Sequence, residues 1–334
     1  MTTSTLHPPP DFIERFRALT GAGGTMTFAG YMALALYDPA VGYYCGGRPR
    51  VGRTPGTDFF TSTTTGPVFG EAVVAACTDL LGGAAAAAGY EFVEIGAEDD
   101  AGVLAGVAHP FARARVVRLG ALPELTGACV VFSNELFDAQ PLRRFVRRGR
   151  EWRELGVRLA GAALAKVELE PVVAPWLPDD APEGYGFDAP RAAVDLAVAL
   201  AAQPWHGLFV ACDYGKSWEV LATATPAGTV RAYHRHTQSN DLLARPGAQD
   251  LTGHVCWDWL VSALAGGGFA APLVESQEAF FVKHAAGWLE QTLAAETHPL
   301  SPRKRALMQL LHPAQMGQKF QVLHARRTLG GFNL

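Results

Sequence analysis

FVEIGAEDDAGVLAGVAHPFARARVVRLGALPELTGACVVF, residues 92–132, decides the fold. Phe92-Val93-Glu94-Ile95 reads as a buried strand, a short apolar run rich in β-branched and aromatic side chains. Ala101 to Val107 reads as a short helix, Arg115 to Leu119 as a second strand and Cys129 to Phe132 as a third. Strands that alternate with helical crossovers favour a parallel sheet, so the expectation is an α/β fold with helices on both faces.

Downstream, polar and apolar residues alternate around Arg148-Gly149-Arg150, which predicts an antiparallel hairpin over 143–158. Ala174 to Pro190, rich in Pro, Gly and Asp, reads as an exposed connection, and a helix follows over Ala192–Ala202. A strand at Leu208–Cys212 ends in Asp213-Tyr214-Gly215. Helices near Trp257–Leu264, Ala285–Glu296 and Ser301–Leu311 precede a closing strand at Lys319–Leu323. Upstream, Phe12, Ile13, Phe16 and Leu19 repeat at helical spacing, and Thr27 can cap a second helix through Leu36. A turn-rich loop with Tyr43-Tyr44 leads to a helix starting near Pro67. The expected organisation is an N-terminal helical and loop region, 1–82, that helps cover the active site. An α/β domain, 83–334, follows, with an insertion around 143–190 and a helical elaboration around 240–315.

A chain of 334 residues, 49% hydrophobic and 18% charged, can bury a sizeable core. Its net charge of -4 argues against a nucleic-acid binder, and the arginines at 143, 144, 147, 148 and 150 read as a solvated face. No apolar run approaches the roughly 20 residues that a membrane span needs. The five cysteines stand singly, as free thiols do in a reducing compartment. The first ten residues do not read as a secretory signal. The Ala-, Gly- and Arg-rich composition adds the expectation of a bacterial cytoplasm.

In open α/β sheets, ligands bind beyond the carboxyl ends of the strands. Three such places carry chemistry: Glu94-Ile95-Gly96-Ala97, the run from Asn134 to Pro141, and Asp213-Tyr214-Gly215. The second sets Asn134, Glu135 and Asp138 at a strand end. Helix capping explains such residues; so does a set of acceptors for a cationic guanidinium, which carboxylates bind bidentately. The Gly-x-Gly-x-x-Gly turn of a dinucleotide oxidoreductase is missing after the first strand. His234 and His236, two apart on an expected strand, have no Cys or acid partner nearby in sequence, so no metal site is expected.

An ordered series then spans nearly the whole chain. It comprises Tyr31-Met32, Tyr37-Asp38-Pro39, Gly42-Tyr43-Tyr44, Asp58-Phe59, Thr61-Ser62, Phe69-Gly70-Glu71, Asn134 to Ala139, Asp213-Tyr214-Gly215, Arg231-Ala232-Tyr233 with His236, Pro246-Gly247, Asp250-Leu251-Thr252, His254-Val255 and Met316-Gly317. It resembles the MidA-like methyltransferases, a branch of class I S-adenosylmethionine-dependent enzymes whose mitochondrial members are protein arginine methyltransferases of complex I assembly. The resemblance implies a Rossmann-like class I methyltransferase sheet, S-adenosylmethionine as cofactor and a protein substrate methylated on arginine. It implies cofactor contacts at Asp58, Thr61, Ser62, Glu94, Gly96 and Asn134, and substrate contacts at Tyr43, Tyr44, Asp213 and Tyr214. Glu135 and Asp138 would orient the nucleophile, and His254 would take its proton.

The chain also departs from the family's pattern. Glu98 and Asp100 stand where a Glu-x-Gly-x-Gly-x-Gly turn has its later glycines, and no acid follows the strand that ends at Leu119. Thr63-Thr64 replace Pro-Glu, and a shorter connection to Asn134 would trim a helix. Two readings stand: an active methyltransferase with a degenerate cofactor motif, or an inactive scaffold that binds a protein partner. A homodimer is open in either.

Overall fold

The computed structural model describes residues 7–45, 62–97, 100–298 and 301–328. The chain opens with α1 (Pro10–Thr20), β1 (Thr25–Thr27) and α2 (Phe28–Tyr37), whose N-cap Thr27 accepts a hydrogen bond from Gly30 N. α3 (Pro67–Leu81) starts on a proline, whose missing N–H costs nothing in a first turn, and α4 (Ala84–Ala87) follows. Then come β2 (Glu91–Ala97), β3 (Arg113–Arg118), β4 (Gly127–Asn134), β5 (Arg143–Arg148), β6 (Glu151–Ala160), β7 (Ala163–Val172) and β8 (Gly186–Ala189). The remainder runs α5 (Arg191–Ala201), β9 (Trp205–Asp213), β10 (Gly215–Lys216), α6 (Trp218–Thr223), β11 (Arg231–His234), β12 (Thr237–Ser239), β13 (Asp250–Thr252), β14 (Val255–Cys256) and α7 (Trp257–Gly266). It closes with β15 (Ala270–Ser276), α8 (Gln277–His284), α9 (Ala286–Ala295), α10 (Pro302–Leu311) and β16 (Gln321–Arg327).

These elements form two compact units, each discontinuous in sequence. The sheet unit comprises 60–136, 196–215 and 259–334, so α3 belongs to it. Its six strands lie in the order β15-β16-β9-β4-β2-β3. β3, β2, β4 and β9 run parallel, and β16 runs antiparallel between β9 and β15. This is a Rossmann-like α/β sheet. One face carries Phe92, Val130, Phe132, Leu208, Val210 and Val322 against apolar residues of α3, α8, α9 and α10. The alternate residues Val93, Val131, Phe209 and Leu323 point the other way and are equally buried, with Phe209 edge-on to Phe269 just beyond α7.

The second unit comprises 1–59, 137–195 and 216–258. Its five-stranded sheet has the order β1-β6-β5-β8 with β7 also on β6, and a smaller sheet has the order β12-β11-β13. Phe12, Phe16, Tyr31, Met32, Val157, Leu164 and Leu251 form its core. The hairpin expected over 143–158 is β5–β6, closed by Gly149 at φ 56°.

Four local expectations are corrected. Ala101–Val107 is a series of turns, because Gly102 and Gly106 take left-handed φ values of 65° and 69° that interrupt a helix. The connection 174–190 is not simply exposed: Leu177, Tyr185, Phe187 and Asp188 are buried, and β8 pairs with β5. Asp188 anchors it, accepting from Arg144 Nε at 2.7 Å and from the backbone N–H groups of Thr229 and Val230 at 2.6 and 2.9 Å. His234 and His236 do not share a strand face, since Arg235 and His236 form a turn with φ of 49° and 61°. Finally, β15 has no counterpart in the sequence reading. It is an edge strand carrying Pro272 and an irregular register, both of which mask strand periodicity. The short β3-to-β4 connection, 119–126, contains no helix, as its length suggested.

Candidate functional site

In the sheet unit, registers align the strand ends. Ile95 pairs with Ser133, and Asn134 pairs with Cys212, so Gly96, Asn134 and Asp213 leave the sheet side by side. Each end is built differently. Glu94 is buried, and its Oε2 accepts from Val103 N at 2.6 Å, which ties the carboxylate to the turn after β2. Gly96 has φ 82°, and a Cβ there would lie 2.7 Å from Leu136 Cδ1. A side chain at 96 is therefore excluded by both backbone conformation and space.

At β4, Asn134 Nδ2 donates to Glu135 Oε1 at 3.2 Å, while its Oδ1 is buried with no hydrogen-bond partner among the described residues. A buried acceptor left unsatisfied costs on the order of 1–3 kcal/mol, so a donor supplied by a ligand is the natural complement. Glu135 itself has φ 52°, the left-handed region that non-glycine residues enter at a cost, and its N–H is held by Cys212 O at 2.9 Å. Strained backbone beside an orphaned acceptor fits a ligand ammonium, such as that of the methionine part of S-adenosylmethionine. At β9, Asp213 is fully buried and its Oδ1 accepts from Tyr214 N at 2.9 Å; the Tyr214 ring meets Phe320 edge-on at 5.6 Å.

One expected contact, Ser62, lies in the helical layer, and two more lie outside the described residues. Ser62 is buried, with its hydroxyl on Gln277 Oε1 at 3.4 Å and Met316 Sδ at 3.8 Å, inside the helical layer. Asp58 and Thr61 lie outside the described residues, as does Glu98. Asp100 is exposed and pairs with Arg118 at 3.2 Å, at the tip of β3.

The second unit holds the remaining predicted residues. Asp138 is buried, and its carbonyl accepts from Gly253 N at 2.9 Å, which sets the segment bearing His254 beside it. Tyr37 donates to Ala139 O at 2.8 Å, and Tyr44 donates to Asp250 Oδ1 at 2.8 Å, with the two rings stacked 5.5 Å apart. Burial, and then the charges of Asp250 and Asp138, push the Tyr37 hydroxyl well above its ordinary value. Tyr37 and Asp250 thus join Asp138 in one buried acid–phenol cluster; both occur in the quoted motifs, but nothing in sequence gave them a role. Tyr43, at 1% exposure, packs in the core, edge-on to Tyr44 at 5.1 Å. His254 donates its N–H to Thr229 Oγ1 at 3.2 Å. Burial lowers its imidazole to about 4, and the nearby cations Lys216 and Arg231 push the same way, so the ring is neutral at pH 7.

Comparison with known proteins fits this geometry. A family described as "Putative S-adenosyl-L-methionine-dependent methyltransferase" matches residues 84–272, more than half of the chain. A crystal structure from Burkholderia thailandensis, described as a "likely methyl transferase" bound to S-adenosyl-homocysteine, superposes with a TM-score of 0.80 at 27% identity, covering 96% of this chain and 94% of that one. A second structure from the same organism, of an uncharacterized protein, gives a TM-score of 0.78 at 25% identity, with the same 96% and 94% coverage. The protein arginine methyltransferase NDUFAF7, mitochondrial, of Mus musculus is 26% identical over 219 residues, 61% of this chain. This chain spans about half of that relative, 48% of its length. Taken with the Rossmann-like sheet and the acceptor at the end of β4, these matches show that the chain belongs to the S-adenosyl-L-methionine-dependent methyltransferase family, whose cofactor is S-adenosylmethionine.

Proposed function

We propose that this protein transfers a methyl group from S-adenosylmethionine to a nitrogen of an arginine side chain in a protein. The observation that carries the reading is the buried, unsatisfied Oδ1 of Asn134 beside the left-handed Glu135, at the end of a central strand. An ammonium is the complementary donor, and the methionine part of the cofactor brings one. Arginine as acceptor rests on the mouse relative's name and on the carboxylates of Glu135 and Asp138, which suit a guanidinium.

When bound, S-adenosylmethionine supplies a methyl group made electrophilic by its sulfonium. The chain's own residues do the rest by position. Asn134 Oδ1 holds the ammonium and fixes the methionine end. Glu135 accepts hydrogen bonds from the guanidinium and aims one nitrogen at the methyl carbon. In taking the methyl group from the departing sulfur, that nitrogen would shed a proton. His254, neutral at pH 7, is unprotonated and so able to take it, as a weak base. Asp213 and Tyr214 border the substrate.

The test is incorporation of labelled methyl from S-adenosylmethionine into arginine-containing peptides, with hydrolysis to identify the modified residue. Labelled methylarginine is expected; label on another residue overturns the arginine assignment. The engaged Glu94 and the filled space at Gly96 favour a second reading, a partner-binding scaffold without turnover. Folded protein that binds neither the cofactor nor its homocysteine product would decide for it.

A further inference from the structure

Outside the strand-end site, the sheet unit gathers Glu275, His284 and His324, whose ligating atoms all lie within 4.8 Å of one another. The fold builds this cluster from three elements. Glu275 is the penultimate residue of β15, where it pairs in register with Val322; His324 lies two residues further along β16 and shares that face. His284 is the last residue of α8, the helix that packs on the same face through Phe280 and Phe281. Sequence gave no sign of it, since the three are 9 and 40 residues apart.

The geometry points to a binding site for a zinc-like divalent cation, ligated by Glu275 Oε2, His284 Nε2 and His324 Nε2. Glu275 Oε2 lies 2.9 Å from His324 Nε2 and 3.7 Å from His284 Nε2. Ligands 2.0–2.1 Å from a tetrahedral zinc stand about 3.3 Å apart, between those two separations. A second observation is independent of the clustering. The His284 side chain is nine-tenths buried, and its Nε2 is shielded from solvent with no hydrogen-bond partner among the described residues. Its other nitrogen, Nδ1, sits 3.0 Å from Asp79 Oδ2. A carboxylate on the far side of the ring favours the tautomer with its proton on Nδ1, which turns an Nε2 lone pair toward Glu275. This is how proteins orient a metal-ligating histidine.

The surroundings agree. Lys283 Nζ is 3.3 Å from Glu275 Oε1, which leaves Oε2 to the histidines. Phe280 lies 5.3 Å from both imidazole rings and shields one side of the cluster. The Glu275 side chain keeps 16% exposure, so it is reached from solvent. Two imidazoles and a carboxylate suit zinc better than calcium or magnesium, which prefer oxygen alone. β16 is separated from β4 by β9, so the ion would not occupy the end of β4. It would cross-link β15, β16 and α8.

The experiment titrates ZnCl2 into chelator-treated full-length protein against a chromophoric competitor. The expected result is one equivalent bound at micromolar affinity or tighter. That binding is expected to be lost in His324→Ala and in Glu275→Gln, with circular dichroism as the folding control. Asp79→Asn lies outside the ligand set on an exposed carboxylate, and it is expected to weaken zinc about 10- to 100-fold. This variant decides the matter if the ligand variants do not fold. No stoichiometric zinc in the parent protein, or affinity unchanged in the folded variants, overturns the site.

Discussion

The ends of β2 and β4 are neighbours in one sheet and are built to opposite rules. After β2, the described residues are internally engaged: the Glu94 carboxylate accepts from Val103 N, and a side chain at Gly96 would meet Leu136. After β4, Asn134 keeps a buried acceptor that no described residue meets, and Glu135 holds a left-handed backbone. Structure accounts for the first turn; the second stores unsatisfied and strained groups, which persist where a ligand uses them. The glycine signature draws attention to the β2 turn, yet the β4 end is where the chain leaves a polar atom to be completed.

The largest expected effect would break the structural side of this contrast. Gly96→Ala should destabilise the protein by about 3 kcal/mol in urea unfolding, from a strained φ and a Cβ inside Leu136. Adding Leu136→Ala should recover part of that loss, and strict additivity would show that the contact is not the cause. The β4 end should behave the other way. Asn134→Ala is expected to weaken S-adenosylhomocysteine by about 10- to 100-fold, the worth of a hydrogen bond to a charged group, while changing stability by less than about 1 kcal/mol. A large loss of stability with unchanged affinity would make Asn134 a structural residue.

The same contrast explains what sequence could and could not convey. The strands at 92–95 and 129–132 were legible because buried parallel strands write continuous apolar runs, and the edge strand at 115–119 was legible only from Val116-Val117 and its place in the strand–helix alternation. β15 was not, since an edge strand with a proline has neither the run nor the alternation. Asn134, Glu135 and Asp138 were legible as strand-end polar residues, but nothing in the sequence separates a satisfied carboxylate such as Glu94 from an orphaned amide. The burial of Tyr43 was not legible either: paired tyrosines in a glycine-rich loop look exposed until the packing of α1 and α2 is known. The Glu275, His284 and His324 cluster was invisible because tertiary packing alone assembles it.

Smaller effects sharpen the comparison. Glu135→Gly should relieve the left-handed backbone and raise stability by about 0.5–1 kcal/mol, the strain relieved less the entropy of a more flexible unfolded chain, while lowering methyl transfer. A stability loss would show that the φ of 52° is not strain. The last effect concerns His254 and depends on pH. Its folded value, lowered by burial to about 4, lies below the ordinary 6.5, so between the two the unfolded chain binds more protons. Stability from this group is therefore complete above about 6.5 and is lost as pH falls through about 4. Nuclear magnetic resonance titration of the imidazole should give a midpoint near 4, and an ordinary midpoint would remove the neutral-acceptor role.

The central claim is that the end of β4 binds the methionine part of the cofactor. Its most direct test is calorimetric titration of the parent protein and of Asn134→Ala with S-adenosylhomocysteine. One-to-one binding at micromolar affinity, weakened by the substitution, is the predicted result; no heat from folded parent protein, or equal affinity in both, would contradict it.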